Sequence, residues 1–426
     1  MPIDIVSSMI FDGPETVPGW RYLKTVVPGL MAIGVTKYYF GGNSNKFERD
    51  LHGKVYIITG GTSGLGARLA YELGCKGAQI ILLVRSIEDQ WTIDFIEDLR
   101  DKTGNFMIYG EQCDLSSLYS VRKFATKWLD NQPPRRLDGV ICLAAETLPA
   151  SKTIQITDEG IERQMAINYF GHYHLLTLLN PSLRVQPPDR DVQVIVATCS
   201  SQSLGQVDLQ DLMGLTKSNF KNFANSKLLL GLFVKQFQIE HDSYERKDKF
   251  PCNIKVNMVN PGLMSSPSTR RFLSNGSILG LMIYMILYPI WWIFLKSSLQ
   301  GCQSILFVLL APIIRKVKGG NYIQECKIIT NTRKEYEDQQ LIRQLFTNTG
   351  KVIDEVEKKS AITRKLREKQ EKQQGKHKPN DDLTKKPENE QELQSKLDKI
   401  RQNLNISTQN LPLFPDQTNN ENKIKK

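Results

Sequence analysis

The run Thr59-Gly60-Gly61-Thr62-Ser63-Gly64-Leu65-Gly66 has the residue types and spacing of a phosphate-binding turn. Glycines at these intervals let a tight turn bring bare backbone N–H groups against a pyrophosphate, and a helix that starts there aims its positive N-terminus at the same charge. Further on stands Arg85-Ser86, where a protein that binds NAD usually places an acid to hold the ribose hydroxyls. An arginine pairs instead with a 2′-phosphate, so NADP(H) is favoured over NAD. The other reading of Arg85 is a solvated arginine at a strand end.

Such a turn needs a strand to deliver it and a helix to follow it. Val55-Tyr56-Ile57-Ile58 reads as a buried parallel strand, residues 67–74 as the helix, and Gln79-Ile80-Ile81-Leu82-Leu83-Val84 as a second strand, which completes a βαβ unit. The alternation continues. Cys113-Asp114-Leu115-Ser116-Ser117-Leu118 follows another strand, residues 121–129 have helical spacing, and Leu137-Asp138-Gly139-Val140-Ile141-Cys142-Leu143 makes the next apolar strand. An α/β fold with a Rossmann-type, doubly wound parallel sheet is predicted.

On these residues the chain resembles the short-chain dehydrogenase/reductase family, in its retinol-dehydrogenase-like branch and near the membrane oxidoreductases of yeasts. Thr59, Gly60, Gly64 and Gly66 match the family's TGxxxGxG, with Leu65 inside it, and Asp114-Leu115 match its adenine-contacting pair. The resemblance runs over residues 53–331, roughly two thirds of the chain. It implies roles for further positions. Asn168 corresponds to an asparagine that holds a helix kink and anchors a water. Ser200 aligns with the serine that orients a substrate carbonyl, with Ser201 as the adjacent alternative. Lys227 corresponds to the lysine on the nicotinamide ribose, and Pro261-Gly262 to a turn beside the nicotinamide, with Ser266 where a threonine is common.

Two positions depart from the family. Phe223, four residues before Lys227, stands where a tyrosine hydroxyl, its pKa lowered by the lysine ammonium, exchanges a proton while hydride moves. A phenyl ring has no transferable proton. Tyr169, Tyr173, His172 or a water on Ser200 are other donors, but nothing in the spacing places them at the nicotinamide. Cys142-Leu143-Ala144-Ala145 replaces an Asn-Asn-Ala-Gly turn, and Leu143 cannot supply an amide's hydrogen bonds. Two functions are compatible with this pattern. One is slow or unusual NADP(H)-dependent redox chemistry on a hydrophobic, lipid-like carbonyl or alcohol, with Asn168 supporting a water relay. The other is a nucleotide-binding pseudoenzyme that scaffolds or regulates a membrane complex.

The 426 residues exceed one such domain, and the surplus divides into a lead, 1–51, and a tail, 349–426, around a domain at 52–348. The tail, rich in Lys, Glu, Gln and Asn, cannot bury enough apolar surface to offset its ordering entropy, so disorder is expected, with a transient charged helix at 352–372. The net charge of +11 owes much to tail runs such as Arg364-Lys365-Leu366-Arg367. Basic tails attract anionic membranes or nucleic acid, and the tail has no aromatic interleaving or binding module for nucleic acid. Seven scattered cysteines, with no CxxC pair or metal-ligand spacing, fit a reducing compartment.

Residues 272–295 form an uncharged, strongly apolar run flanked by Arg270, Arg271 and Lys296, with Tyr284, Tyr288, Trp291 and Trp292 suited to an interface. Hydropathy alone reads this as a span. Topology argues for a monotopic hairpin or in-plane helix bent near Pro289, because 321–328 reads as the last strand and must join the same sheet. Because the resemblance makes this region the substrate lid, the active site would open toward lipid. Residues 26–35, with Pro28 and Gly29, are too short to span and form either a second surface anchor or a helix packed on the domain. Asp4, Asp12 and Glu15 interrupt any leader pattern. These readings place the domain on the cytosolic face of endoplasmic reticulum, lipid droplet or a similar surface, with the oligomeric state open.

Overall fold

A computed structural model describes residues 20–330 and 333–376, so residues 1–19, much of the tail and the limit of the resemblance at 331 lie outside the described residues. Strands β1 Val55–Thr59, β2 Gln79–Val84, β3 Ile108–Gln112, β4 Gly139–Cys142, β5 Val192–Ala197, β6 Ile254–Asn260, β7 Tyr322–Gln324 and β8 Lys327–Ile329 form one sheet in the order β3-β2-β1-β4-β5-β6-β7-β8. Seven strands pair in parallel and β8 is antiparallel. The order reverses direction between β1 and β4, and such a switch point opens a crevice at the carboxyl ends of the strands.

The strands are apolar on both faces because both faces are covered. Val55 and Ile57 belong to a core shared with α4 Leu118–Leu129, α5 Gly171–Arg184 and α6 Asn219–Asp242. Tyr56 and Ile58 alternate to the other face and pack with α2 Gly64–Cys75, α3 Gln90–Thr103, α10 Ser298–Leu310 and α11 Pro312–Lys316. This is the doubly wound arrangement that the sequence predicts.

The last strand departs from expectation. Residues 321–328 do not run through as one strand; Glu325 and Cys326, at φ 52° and 55°, turn the chain between β7 and β8. Two consecutive left-handed residues make the tight hairpin that suits antiparallel neighbours. β7 nevertheless pairs in parallel with β6, so the chain returns to the same sheet after the apolar run.

That run forms two short helices, α8 Ile278–Ile286 and α9 Tyr288–Phe294, and follows a third, α7 Pro267–Leu273, which carries Arg270 and Arg271 and ends inside it. The break falls at Leu287, where Pro289 enters the first turn of α9. Ahead of the sheet, α1 Trp20–Gly41 packs on α9. Among the described residues no helix is long and apolar enough to cross a membrane.

The domain boundary expected at residue 348 is corrected by α12 Gln339–Lys376. Ile353 and Val356 are buried in the core with Ile342 and Leu345, so residues 349–361 belong to the compact unit. Beyond them Ile362 and Leu366 are exposed. All seven cysteines are free, three of them buried, and Cys75 is exposed.

Candidate active site

The glycine turn lies between β1 and α2, at the switch point. Gly60 and Gly64 have φ 66° and 53°, which side-chain-bearing residues rarely adopt. A Cβ at Gly60 would stand 2.8 Å from Ala144 Cα, and one at Gly66 would collide with the Gly60 carbonyl. Leu65, one of the buried residues of α2, anchors the turn to the core. The turn therefore has the shape a pyrophosphate cradle requires, and Gly60, Gly64 and Gly66 are the residues that would hold the phosphates of a nicotinamide dinucleotide, with Thr59 behind them instead of at the phosphates.

Thr59 is wholly buried and all its hydroxyl's bonding capacity is used. Its Oγ1 accepts from the backbone N–H groups of Leu143 (3.0 Å) and Ala144 (3.1 Å) and lies 3.0 Å from His172 Nε2. His172 Nδ1 is 3.2 Å from the Asn168 carbonyl, which can only accept, so Nδ1 carries the proton. Burial, and then the charge of Lys227, lower the His172 pKa to about 4, so the ring is neutral and Nε2 accepts the Thr59 proton. The turn 142–145, which lacks the family's asparagines, is held at its backbone by this threonine.

Asn168 sits in a π-helical turn, Ala166–Phe170, where Gly171 N–H reaches back to the Ala166 carbonyl. Its Oδ1 accepts from Glu146 N–H (2.8 Å), and its Nδ2 donates to the Glu146 carbonyl (3.0 Å) and to Ser226 Oγ (3.2 Å). Ser226 in turn donates to the Phe223 carbonyl (2.8 Å). A π-helical turn stands where the sequence predicts a kink. Both amide hydrogens are engaged by the protein, so Asn168 would meet a water only as an acceptor, through the second lone pair of its Oδ1 or of the backbone carbonyl that receives His172. Polar contacts thus run unbroken from the phosphate turn to the α6 turn that carries Phe223 and Lys227.

Lys227 is buried and its Nζ donates to the Ala197 carbonyl at the end of β5 (3.3 Å). Burial lowers its pKa, opposed by Cys199 and Cys142, so both thiols lie within its electrostatic reach. Phe223 is half-buried one turn earlier. The two candidate serines separate here. Ser200 is exposed and its Oγ accepts from Asn260 Nδ2 (3.2 Å), toward β6, whereas Ser201 Oγ lies 2.7 Å from the Sγ of Cys199, a thiol within electrostatic reach of Lys227.

The remaining positions close the crevice. Asp114 caps its own loop, accepting from Ser116 N–H (2.9 Å) and Oγ (2.8 Å), and the Leu115 carbonyl lies against Gly171. Arg85 is exposed at the end of β2, with its carbonyl accepting from Gln112. After Pro261, Gly262 has φ 85°, and its N–H donates to Asn260 Oδ1 (3.0 Å). The loop that follows passes over the glycine turn, since a Cβ at Gly64 would be 3.6 Å from Pro267 and 3.7 Å from Ser266. A cavity of about 340 Å³ opens between this loop, Arg270, Tyr284 and Met285 of α8, and Tyr288 of α9. Tyr169 and Tyr173 are not part of the site, because Tyr169 Oη meets Thr349 Oγ1 (2.7 Å) and Tyr173 donates to the Phe346 carbonyl (3.0 Å).

The short chain dehydrogenase profile matches residues 54–275, and an uncharacterized oxidoreductase of Saccharomyces cerevisiae is 42% identical over 389 residues, covering 85% of this chain and 95% of its own. The chain belongs to the short-chain dehydrogenase/reductase family. Retinol dehydrogenase 13 of Mus musculus is 28% identical over 77% of this chain and 91% of its own. A crystal structure of an uncharacterized protein from Mycobacterium paratuberculosis superposes with a TM-score of 0.51 at 19% identity, over 71% of this chain and 94% of that one, which shows the shared fold. Its relatives make this family member a short-chain oxidoreductase whose fold binds a nicotinamide dinucleotide. The profile ends before α8 and α9, so the most apolar part of the lid lies beyond the matched segment.

Sequence reading did not find the Thr59–His172 pair, the Glu146 clamp or Cys199. His172 appeared there only as a proton donor, and its role as the acceptor that orients Thr59 depends on β1 and α5 meeting in space, for which a motif gives no signal.

Proposed function

We propose that this chain is a membrane-surface, NADP(H)-dependent oxidoreductase acting on a hydrophobic alcohol or carbonyl. The observation that carries this reading is the lid. α8 and α9 stand over the loop that crosses the glycine turn; α8 exposes Ile278, Leu279, Met282, Met285 and Ile286, and α9 exposes Ile290 and Trp292. A lid with this surface favours a substrate that arrives from an apolar phase. The mouse relative named for retinol supports the same class.

When bound, the dinucleotide supplies or accepts the hydride. The chain's own residues would do the rest. Gly60, Gly64 and Gly66 hold phosphate, Asp114 and Leu115 shape the adenine side, and exposed Arg85 favours a 2′-phosphate. Lys227 would bind the ribose, since its buried ammonium meets one backbone carbonyl and has two further donors. Pro261 and Gly262 border the nicotinamide. Ser201, beside the Cys199 thiol that lies within electrostatic reach of Lys227, orients the substrate oxygen in preference to Ser200, which Asn260 engages. Phe223 contributes no proton.

Calorimetric titration of the detergent-solubilised full chain with NADPH and NADH tests this, beside Gly66→Val. NADPH should bind more tightly than NADH, and Gly66→Val should abolish both. Absence of NADPH binding to the wild-type chain would overturn the redox reading.

A further inference from the structure

A second cavity, of about 390 Å³, lies between α1 and the far end of the lid. Its lining is rich in donors and contains no carboxylate. Lys37 reaches in from α1, and its Nζ donates to the carbonyls of Trp292 and Leu295 (2.8 Å for the latter). An ammonium has three donors, so one remains. Among the described residues Lys37 has no carboxylate partner, whereas Lys296, which also lines the cavity, is paired with Glu325. The Trp291 indole Nε1 is buried without a hydrogen-bond partner, a cost that a ligand acceptor would relieve. Ser297 and Ser298 bring the first turn of α10 to the same space, where its dipole favours an anion.

Around this mouth the surface is apolar. Tyr288, Trp292 and Phe294 of the lid are exposed, as are Tyr38 and Phe40 of α1, and Phe40 meets Phe294 edge-on at 5.0 Å. A cation that lies 5.0 Å over the Trp292 ring and has no carboxylate partner among the described residues, and an unsatisfied indole N–H, set in an apolar rim, fit an amphiphile whose charged end is an anion rich in acceptor oxygens.

We propose that this cavity receives the phosphate of an anionic phospholipid headgroup, with Lys37 as its counter-ion and the Trp291 N–H as a hydrogen-bond donor. The proposal rests on the membrane-surface reading and adds a lipid preference to it. Lys37 also ties α1 to α9, so the headgroup site and the docking of these two helices form one unit.

The test is flotation of the full chain with phosphatidylcholine vesicles, alone and with phosphatidic acid, in about 0.5 M salt, where the exposed charges of the tail are screened within a few ångströms. The wild-type chain should bind neutral vesicles and bind the acidic ones more tightly. Lys37→Gln should reduce that gain about fivefold, as expected for one lysine at an anionic surface, the gain being read as the ratio of acidic to neutral binding by the same variant so that any loosening of α1 from α9 cancels. Trp291→Phe, which keeps an apolar ring, should reduce the gain by a smaller factor. It decides the matter if Lys37→Gln melts early.

An undiminished gain in Trp291→Phe and in well-folded Lys37→Gln would assign the preference to the basic tail and overturn the proposal. An equal, Lys37-dependent gain with oleate in place of phosphatidic acid would overturn the phosphate assignment. Wild-type binding to neutral vesicles without any acidic gain would remove this site alone, whereas failure to bind either kind would remove the membrane reading with it.

Discussion

Phe223 and Lys227 are four residues apart on α6 and so share a face. Lys227 keeps its buried place at the end of β5, which a tyrosine at position 223 would need beside it. Phe223→Tyr is therefore expected to raise turnover of an isoprenoid aldehyde with NADPH by about 10²–10⁴, the usual worth of general acid–base help. The gain should disappear when Lys227→Met is added. A Phe223→Tyr rate equal to wild type would show that the site lacks more than its acid. At the next strand, Ser201→Ala is expected to lower kcat at least tenfold while Ser200→Ala changes it less than twofold, measured on the same reaction. The reverse order would return the role to Ser200. Most of this site was legible in the sequence, because Gly60, Gly64, Gly66, Asn168 and Lys227 each occupy a position that few other residues satisfy. The choice between the serines was not, since it depends on where Asn260 and Cys199 stand around the end of β5.

The helix α12 shows how composition can conceal an element. Ile342, Leu345, Thr349, Ile353 and Val356 recur at intervals of three and four, one buried stripe along the helix. Thr349 lies in the stripe, Gly350 follows it, and the other faces are charged, so the average reads as a solvated tail. Tertiary contacts settle it. Glu357 lies 3.1 Å from His174 Nε2 and accepts a two-point contact from Arg122, which ties α12 to α5 and α4. Burial pushes the Glu357 pKa up, but the bonds from His174 and Arg122 outweigh it and hold the carboxyl down at about 2. A carboxyl with a depressed folded pKa adds stability that is fully present above the ordinary glutamate value and is lost as pH falls toward about 2. Glu357→Gln should cost about 2 kcal/mol in urea unfolding at neutral pH, the scale of hydrogen bonds to a charged group. Below about pH 2 the variant and wild type should converge. Equal stability at pH 7 would show that the clamp is dispensable. The hairpin between β7 and β8 was hidden for a different reason, since Glu325-Cys326 lacks the Asn-Gly signature of its turn.

For the whole molecule, the two segments that stand apart from the sheet meet each other. α1, from the lead, and α9, from the lid, pack together, and both present apolar side chains outward, among them Val26, Leu30 and Met31 on one and Ile290 and Trp292 on the other. The sequence showed one segment as too short to span and the other as a span by hydropathy that topology argues against, but not that these distant stretches combine into one surface. A single apolar helix on a soluble domain is commonly packed inward, and here the side chains that would do so remain exposed. Ile283 and Ile286, at 50% and 75% exposure, take no part in the fold's core. The double substitution Ile283→Asp, Ile286→Asp should therefore leave melting temperature and NADPH affinity unchanged. Burying two isoleucines in a bilayer is worth about 3–6 kcal/mol, so partition into neutral phosphatidylcholine vesicles should fall at least a hundredfold, read by flotation. Lost binding with retained NADPH affinity would separate the docking surface from the nucleotide crevice. Undiminished flotation would mean that α8 faces something other than lipid, and the route by which a hydrophobic substrate enters would then have to run through the crevice between the loop 263–266 and the glycine turn instead of the lid.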